Sequence, residues 1–184
     1  MERVVKETES RMKKTIETIS DDLNEIRTGR ASASLFDKIK VEYYGNPTPL
    51  NQVATISVPE ARLVVIQPWD KGIIGEIEKA IQKSELSLNP SNDGKVIRLN
   101  IPPLTEERRK EYVKVAKDKA EQGRVALRNI RRDANDELKK LQKDGDISED
   151  EQKRYEDDVQ KLADTYVKKI NEVLEVKEQE ILEI

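Results

Sequence analysis

The sequence predicts an α+β protein: an elongated antiparallel three-helix bundle with a small β/α/β domain inserted into it. Three observations carry that prediction. Apolar residues recur at helical spacing at both ends of the chain, while the middle segment holds prolines and short runs of branched and aromatic residues. Charged residues make up 39% of the 184 against 35% hydrophobic, which suits long helices burying narrow stripes rather than a broad core. A chain of this length can bury one sizeable core or two small ones.

The first helix is expected within residues 1–28, where Met12, Ile16, Ile19, Leu23 and Ile26 alternate in steps of four and three, placing one stripe on one face. The same spacing returns at Ala116, Ala120, Gly123, Leu127, Ile130 and Ala134 and, shifted by one, at Leu138 and Leu141. This central helix starts after Pro102 and Pro103 with Thr105 as N-cap and ends at Gly145. Its ~40 residues give a length of ~60 Å. The last helix opens on Ser148 with Glu151 three positions later, the pattern of a capping box, and carries Tyr155, Val159, Leu162, Tyr166, Ile170, Val173 and Ile181. The short connection at Gly145 requires these two helices to pack antiparallel, and the first helix fills the groove they leave.

Between them, Ile39 to Tyr44, Val53 to Val58, Leu63 to Ile66 and Val96 to Ile101 are expected as strands. A short helix runs from about Asp70 through Ile73, Ile77 and Ile81 to near Ser84. The predicted organisation is therefore a bundle of residues 1–29 and 105–184 and an inserted domain of residues 30–104. Two connections join them, Thr28, Gly29, Arg30, Ala31 and Ser32 on entry and Pro102, Pro103 and Leu104 on exit. Two strands at one place make a hinge of restricted freedom.

Composition excludes much chemistry. The chain has no cysteine, hence no disulfide or thiolate metal site, and no histidine, hence no imidazole base, zinc site or histidine triad. No Walker loop or dinucleotide fingerprint occurs. The expectation is a non-enzymatic protein with neither metal nor cofactor. The N-terminus lacks a signal-peptide core and no apolar run approaches the ~20 residues of a membrane span. A cytoplasmic monomer without membrane contact is expected. Asp21 with Asp22, and Glu156 with Asp157 and Asp158, are taken as solvated faces, and Trp69 as a packing residue.

The formal charge of −3 conceals a polarity: the segment 105–147 stands at +3 and the segment 148–184 at −6. On a helical wheel of ~100° per residue with Leu127 at the origin, Lys110, Lys114, Lys117, Arg124, Arg128, Arg131, Arg132 and Lys139 fall between ~40° and ~140°. The acid Glu121 lies in the same sector, and Glu111, Asp118, Asp133 and Asp136 gather near ~180° to ~240°. The bland alternative is a solvated flank neutralised by the acidic last helix. Against it stands the segment from Gly123 to Arg132, with four arginines and no acid. The guanidinium fork suits phosphate oxygens, and a merely solvated face would be served as well by lysine. A rigid helix cannot read the narrow major groove of A-form RNA, so contact with backbone and shape is expected. Arg124, Arg128, Arg131, Arg132, Lys110, Lys114 and Lys117 are the candidate RNA-binding residues.

Four stretches together resemble the bacterial ribosome recycling factor family: Arg27 to Ser32, Val41 to Gly45 with Thr48 to Gln52, Pro102 to Lys110, and Arg128 to Asn135. The match spans the whole chain in order. Ser87 departs from it, standing where glycine is common in that family. The resemblance implies an L-shaped molecule, often compared with transfer RNA, whose three-helix bundle contacts large-subunit ribosomal RNA on the post-termination ribosome. It implies elongation factor G as partner, whose GTP hydrolysis drives subunit separation. It places the family's bundle arginines at Arg128, Arg131 and Arg132 and its hinge at Thr28 to Ser32 and Pro102 to Leu104. The rival reading is a coiled-coil scaffold or holdase-type chaperone, which requires an exposed apolar groove.

Overall fold

The computed structural model describes residues 2–183 and divides into two compact units, one of residues up to Thr28 with Glu106–Glu183 and one of Gly29–Thr105. Each has its own apolar core.

The first unit is a bundle of α1 (Glu2–Asn24), α3 (Glu106–Lys143) and α4 (Glu149–Leu182). The apolar seam of α3 buries Ala116, Ala120, Gly123, Leu127, Ile130, Ala134 and Leu138, as its spacing predicts. On α1 the seam begins earlier than expected, at Val4 and Thr8. Thr8 is tolerated there because its hydroxyl donates to the Val4 carbonyl at 2.7 Å, so its own buried oxygen is not left without a partner. On α4, Val159, Tyr166, Ile170 and Ile181 are buried as expected, but Ala163 and Leu174 take the inward positions, leaving Leu162 and Val173 partly exposed. Periodicity alone does not fix the helix's rotation to within one residue; contact with two partners does.

Contacts between helices give the directions. Lys117 meets Glu178 and Arg131 meets Gln160, so α3 and α4 run antiparallel. Arg11 meets Asp133 and Asp22 meets Lys119, so α1 and α3 do too. All three helices converge at Gly123, where an added Cβ would lie 2.7 Å from Ile19 Cγ1 and 2.8 Å from Ile170 Cδ1. The turn from α3 to α4 is closed by Gly145 at φ +82°: its N–H donates to the Gln142 carbonyl at 3.1 Å and that of Asp146 to the Leu141 carbonyl at 2.9 Å. This is a Schellman closure, which glycine forms without a Cβ penalty. Ser148 then caps α4: its N–H donates to Glu151 Oε2 at 2.9 Å while its Oγ accepts the Glu151 N–H at 3.2 Å.

The second unit holds an antiparallel hairpin, β1 (Lys40–Tyr43) and β2 (Asn46–Pro49), and a four-stranded antiparallel sheet. Its strands are β3 (Ala54–Glu60), β4 (Leu63–Pro68), β5 (Ser91–Asn92) and β6 (Ile97–Asn100), in the order β3-β4-β6-β5. Helix α2 (Ile74–Lys83) buries Ile74, Ile77 and Ile81. Opposed pairs Ile66 with Ile97 and Val64 with Leu99 share one buried face. Strands β2 and β5 lie outside the four that the sequence predicts: β2 carries Pro47 and Pro49, which only an edge strand tolerates, and β5 is two residues long. Asp70 caps not α2 itself but the short 3₁₀ turn before it, accepting the Gly72 N–H at 2.8 Å. Trp69 is 67% exposed rather than packed, because Val64, Ile66 and Pro68 take the inward positions of β4 and alternation turns the next side chain out. Ser87 adopts φ +51°, the left-handed conformation that glycine enters freely.

Within this unit the two connecting segments are fastened to one turn. The Ala31 N–H donates to the Ala61 carbonyl and the Ile101 N–H to the Arg62 carbonyl, both at 2.8 Å. Gly29, at φ +72°, lies so close to the exit segment that an added Cβ would be 3.3 Å from Leu104 Cγ. Adjacent residues between β3 and β4 thus hold the entry and exit of the unit side by side.

Three stability outcomes follow from the bundle. Gly123→Ala gains helix propensity of ~1 kcal/mol but overpacks the seam by up to ~3 kcal/mol, for a net loss of about 1–2 kcal/mol in urea unfolding. Unchanged or raised stability would show that the helices part there at no cost. Ser148→Ala should lose about 1 kcal/mol. The Ser148 amide and hydroxyl hold the Glu151 carboxyl below its ordinary 4.5. A depressed folded-state pKa means this contribution is complete above the ordinary value and is lost as acid protonates the folded carboxyl. Wild type and Glu151→Ala should therefore differ in unfolding midpoint at neutral pH and converge on acidification.

Candidate nucleic-acid interface

Helix α3 carries every candidate RNA-binding side chain, and the same stripe that buries Ala120, Leu127 and Ala134 fixes which flank stays in solvent. Its cations divide into those tied to neighbours and those left open. Arg132, Lys114 and Lys139 are exposed and have no hydrogen-bond or ion-pair partner among the described residues. Arg128 is 58% exposed and places Nη2 2.6 Å from Glu121 Oε1. Lys110 pairs at 2.9 Å with Glu106 yet stays 75% exposed, and Lys117 reaches Glu178 at 3.6 Å.

Two arginines lean across onto α4. Arg131 Nη1 donates to Gln160 Oε1 at 2.9 Å, and Arg124 donates through Nε at 3.0 Å and Nη2 at 2.7 Å to Asn171 Oδ1. Both acceptors are neutral amides, so they orient the guanidinium groups without cancelling their charge. Arg124 also places Nη1 3.1 Å from Glu121 Oε2 and is only 26% exposed. The expected set is thus brought to one face, but Arg124 is a partly covered member that supports the face more than it presents charge.

The alternative in which acidic α4 neutralises the flank would have carboxylates of α4 on these arginines. Instead, the α4 partners of Arg124 and Arg131 are amides, and the α4 carboxylate that reaches the flank, Glu178, meets Lys117. The acid that does meet arginine is Glu121 on α3 itself, its carboxyl held below the usual range by hydrogen bonds from Arg124 and then Arg128. On the opposite side of α3, Asp133 pairs with Arg11 of α1 at 2.9 Å and Glu111 with Arg108 at 3.0 Å. Sequence reasoning misses Asn171 and Gln160, whose place depends on the register between two helices.

Other readings find less. Among the described residues no cluster of acids could hold a metal ion, and no helix is long and apolar enough to cross a membrane. Large apolar residues exposed on the bundle are scattered, Val115 and Val125 on α3 and Val176 and Leu182 on α4. A shallow recess beside Leu23, Val173 and Val176 is interrupted by Glu172, Lys177 and Glu180, which is not the continuous apolar groove a holdase requires.

Known proteins resemble this chain in sequence and in fold. The family model described as ribosome recycling factor matches residues 19–182. The ribosome-recycling factor of Treponema denticola is 62% identical over 183 residues, covering 100% of this chain and 99% of its own. That of Desulfosudis oleivorans is 58% identical over the full length of both. A solution structure of a ribosome recycling factor superimposes with a TM-score of 0.79 at 47% identity, covering 100% of this chain and 97% of that one. A second structure, of the T. thermophilus ribosome recycling factor and E. coli elongation factor G bound to the E. coli post-termination complex, gives a TM-score of 0.66 at 51% identity over 98% of both chains. With a fold of helical bundle and inserted α/β unit, and with likeness running from end to end, this chain belongs to the ribosome recycling factor family.

Proposed function

We propose that the bundle docks on large-subunit ribosomal RNA of the post-termination ribosome through the basic flank of α3. The inserted unit then acts as a lever, moved by elongation factor G as it hydrolyses GTP, so that the subunits separate for a new round of translation. The observation that carries the docking site is the open cation set on one face of α3, Arg132 and Lys114 without partners among the described residues and Arg128 largely in solvent. Its phosphate preference follows from the guanidinium geometry and its orientation from the α4 amides behind Arg124 and Arg131. The chain acts by binding and moving, the energy being supplied by the partner GTPase. A related factor is seen with elongation factor G on the post-termination complex, which supports the same partners here. Such work places the protein in the cytoplasm.

The hinge is proposed at Thr28 to Ser32 and Pro102 to Leu104. Fastening both segments to the Ala61–Arg62 turn gives the inserted unit a firm base while the residues just outside it rotate.

Replacing Arg128, Arg131 and Arg132 together by alanine should weaken sedimentation with bacterial 70S ribosomes by at least about a hundredfold at moderate salt, at unchanged helical circular dichroism. Among single variants, Arg132→Ala should cost more than Arg124→Ala, since Arg124 is already engaged by Asn171 and Glu121. Undiminished binding of the triple variant would remove the docking site. For the hinge, the chain has no native cysteine, so Arg30→Cys with Pro103→Cys gives a single possible crosslink. Oxidation should leave ribosome binding intact and impair subunit splitting with elongation factor G and GTP, and reduction should restore it. Full splitting by the oxidised protein would contradict the lever.

A further inference from the structure

Within the basic flank, one feature opposes the proposed docking. Glu121 stands in the arginine sector and its two carboxylate oxygens are divided between two guanidinium groups, Oε2 at 3.1 Å from Arg124 Nη1 and Oε1 at 2.6 Å from Arg128 Nη2. A carboxylate that gives one oxygen to each of two guanidinium groups occupies the positions that the two non-bridging oxygens of a tetrahedral backbone phosphate would take between them. Glu121 is 53% exposed and lies three and seven residues before its partners, between Arg128, which is 58% exposed, and Arg124, which is 26% exposed and leans onto α4.

Stability does not account for this placement. A solvent-exposed pair of this kind contributes little to folding, and Arg124 is already held by two hydrogen bonds to Asn171. In an RNA interface the same carboxylate is unfavourable, because a phosphate brought against Arg128 meets a fixed negative charge and must displace it. We infer that Glu121 is a resident phosphate surrogate: it fills the seat between Arg124 and Arg128 and so limits binding to RNA surfaces that also engage the open cations of the flank. Arg132 and Lys114, which lack any such guard, make the first contacts. Arg128 is released from Glu121 only when enough phosphates are already in place, so isolated stretches of RNA are held weakly. The depressed carboxyl keeps the guard charged throughout the neutral range.

This inference rests on the RNA-docking reading and is separable from it. The test measures affinity for bacterial 70S ribosomes and for poly(U) RNA across a salt series, comparing wild type, Glu121→Gln, Arg128→Ala and the double variant. Glu121→Gln keeps the size of the side chain and one acceptor oxygen while removing the charge and the second acceptor. It should tighten binding to both RNAs, by about tenfold for poly(U) at low salt, and steepen the dependence of log K on log salt by up to about one. In the Arg128→Ala background most of that gain should vanish, as expected for groups that act on each other. Unchanged or weaker poly(U) binding by Glu121→Gln, while Arg128→Ala still weakens ribosome binding, overturns the surrogate role and leaves the docking site standing. Should Arg128→Ala and the triple arginine variant both bind ribosomes like wild type, the docking site fails and the inference with it.

Discussion

The close approach of three helices at Gly123 is the constraint on which the candidate interface depends. A side chain there would strike Ile19 on α1 and Ile170 on α4, so the seam is tight enough at this level to set rotation and register together. With register set, Asn171 and Gln160 stand opposite Arg124 and Arg131, and the arginine row of α3 is turned to one side of the α3–α4 groove. A bundle slipped by one turn would carry the same sequence stripe and no such support. Packing in the core thus decides the direction in which charge leaves the surface.

Electrostatics on that surface are graded rather than uniform. Arg132 and Lys114 are open, Arg128 is open but opposed by Glu121, and Arg124 is engaged by Asn171 and Glu121 at the surface between α3 and α4. Neutral amide partners leave charge intact and remove rotamer freedom, which is the favourable way to prepare a guanidinium for a phosphate. Of the described α4 carboxylates Glu178 meets Lys117 and none meets the arginines of the flank, and Asp133 on the far side of α3 serves the contact with α1. A helix can therefore be structural on two sides and leave a cationic third side in solvent.

The inserted unit solves a different problem. It must be entered and left at one place, and hydrogen bonds from Ala31 and Ile101 to the neighbouring carbonyls of Ala61 and Arg62 hold both connections against a single turn. Gly29 allows the entry segment to pass Leu104 at a distance no larger residue permits without strain. The unit's own core, from Phe36 through Leu99, is complete without the bundle.

How much is legible in the sequence differs between elements for physical reasons. Helix periods, the Gly145 stop and the Ser148–Glu151 cap are local: neighbouring residues specify them through backbone geometry, and they appear as read. The arginine row is visible because a helix places side chains by sequence interval alone. What the sequence does not show is whatever requires a second element. The inward choice of Ala163 and Leu174 over Leu162 and Val173, the outward turn of Trp69, the proline-bearing strand β2 and the amides behind Arg124 and Arg131 all depend on which surface lies opposite. Local spacing determined which residues share a face; only tertiary packing decided which of those faces meets solvent, a neighbour or a competing charge.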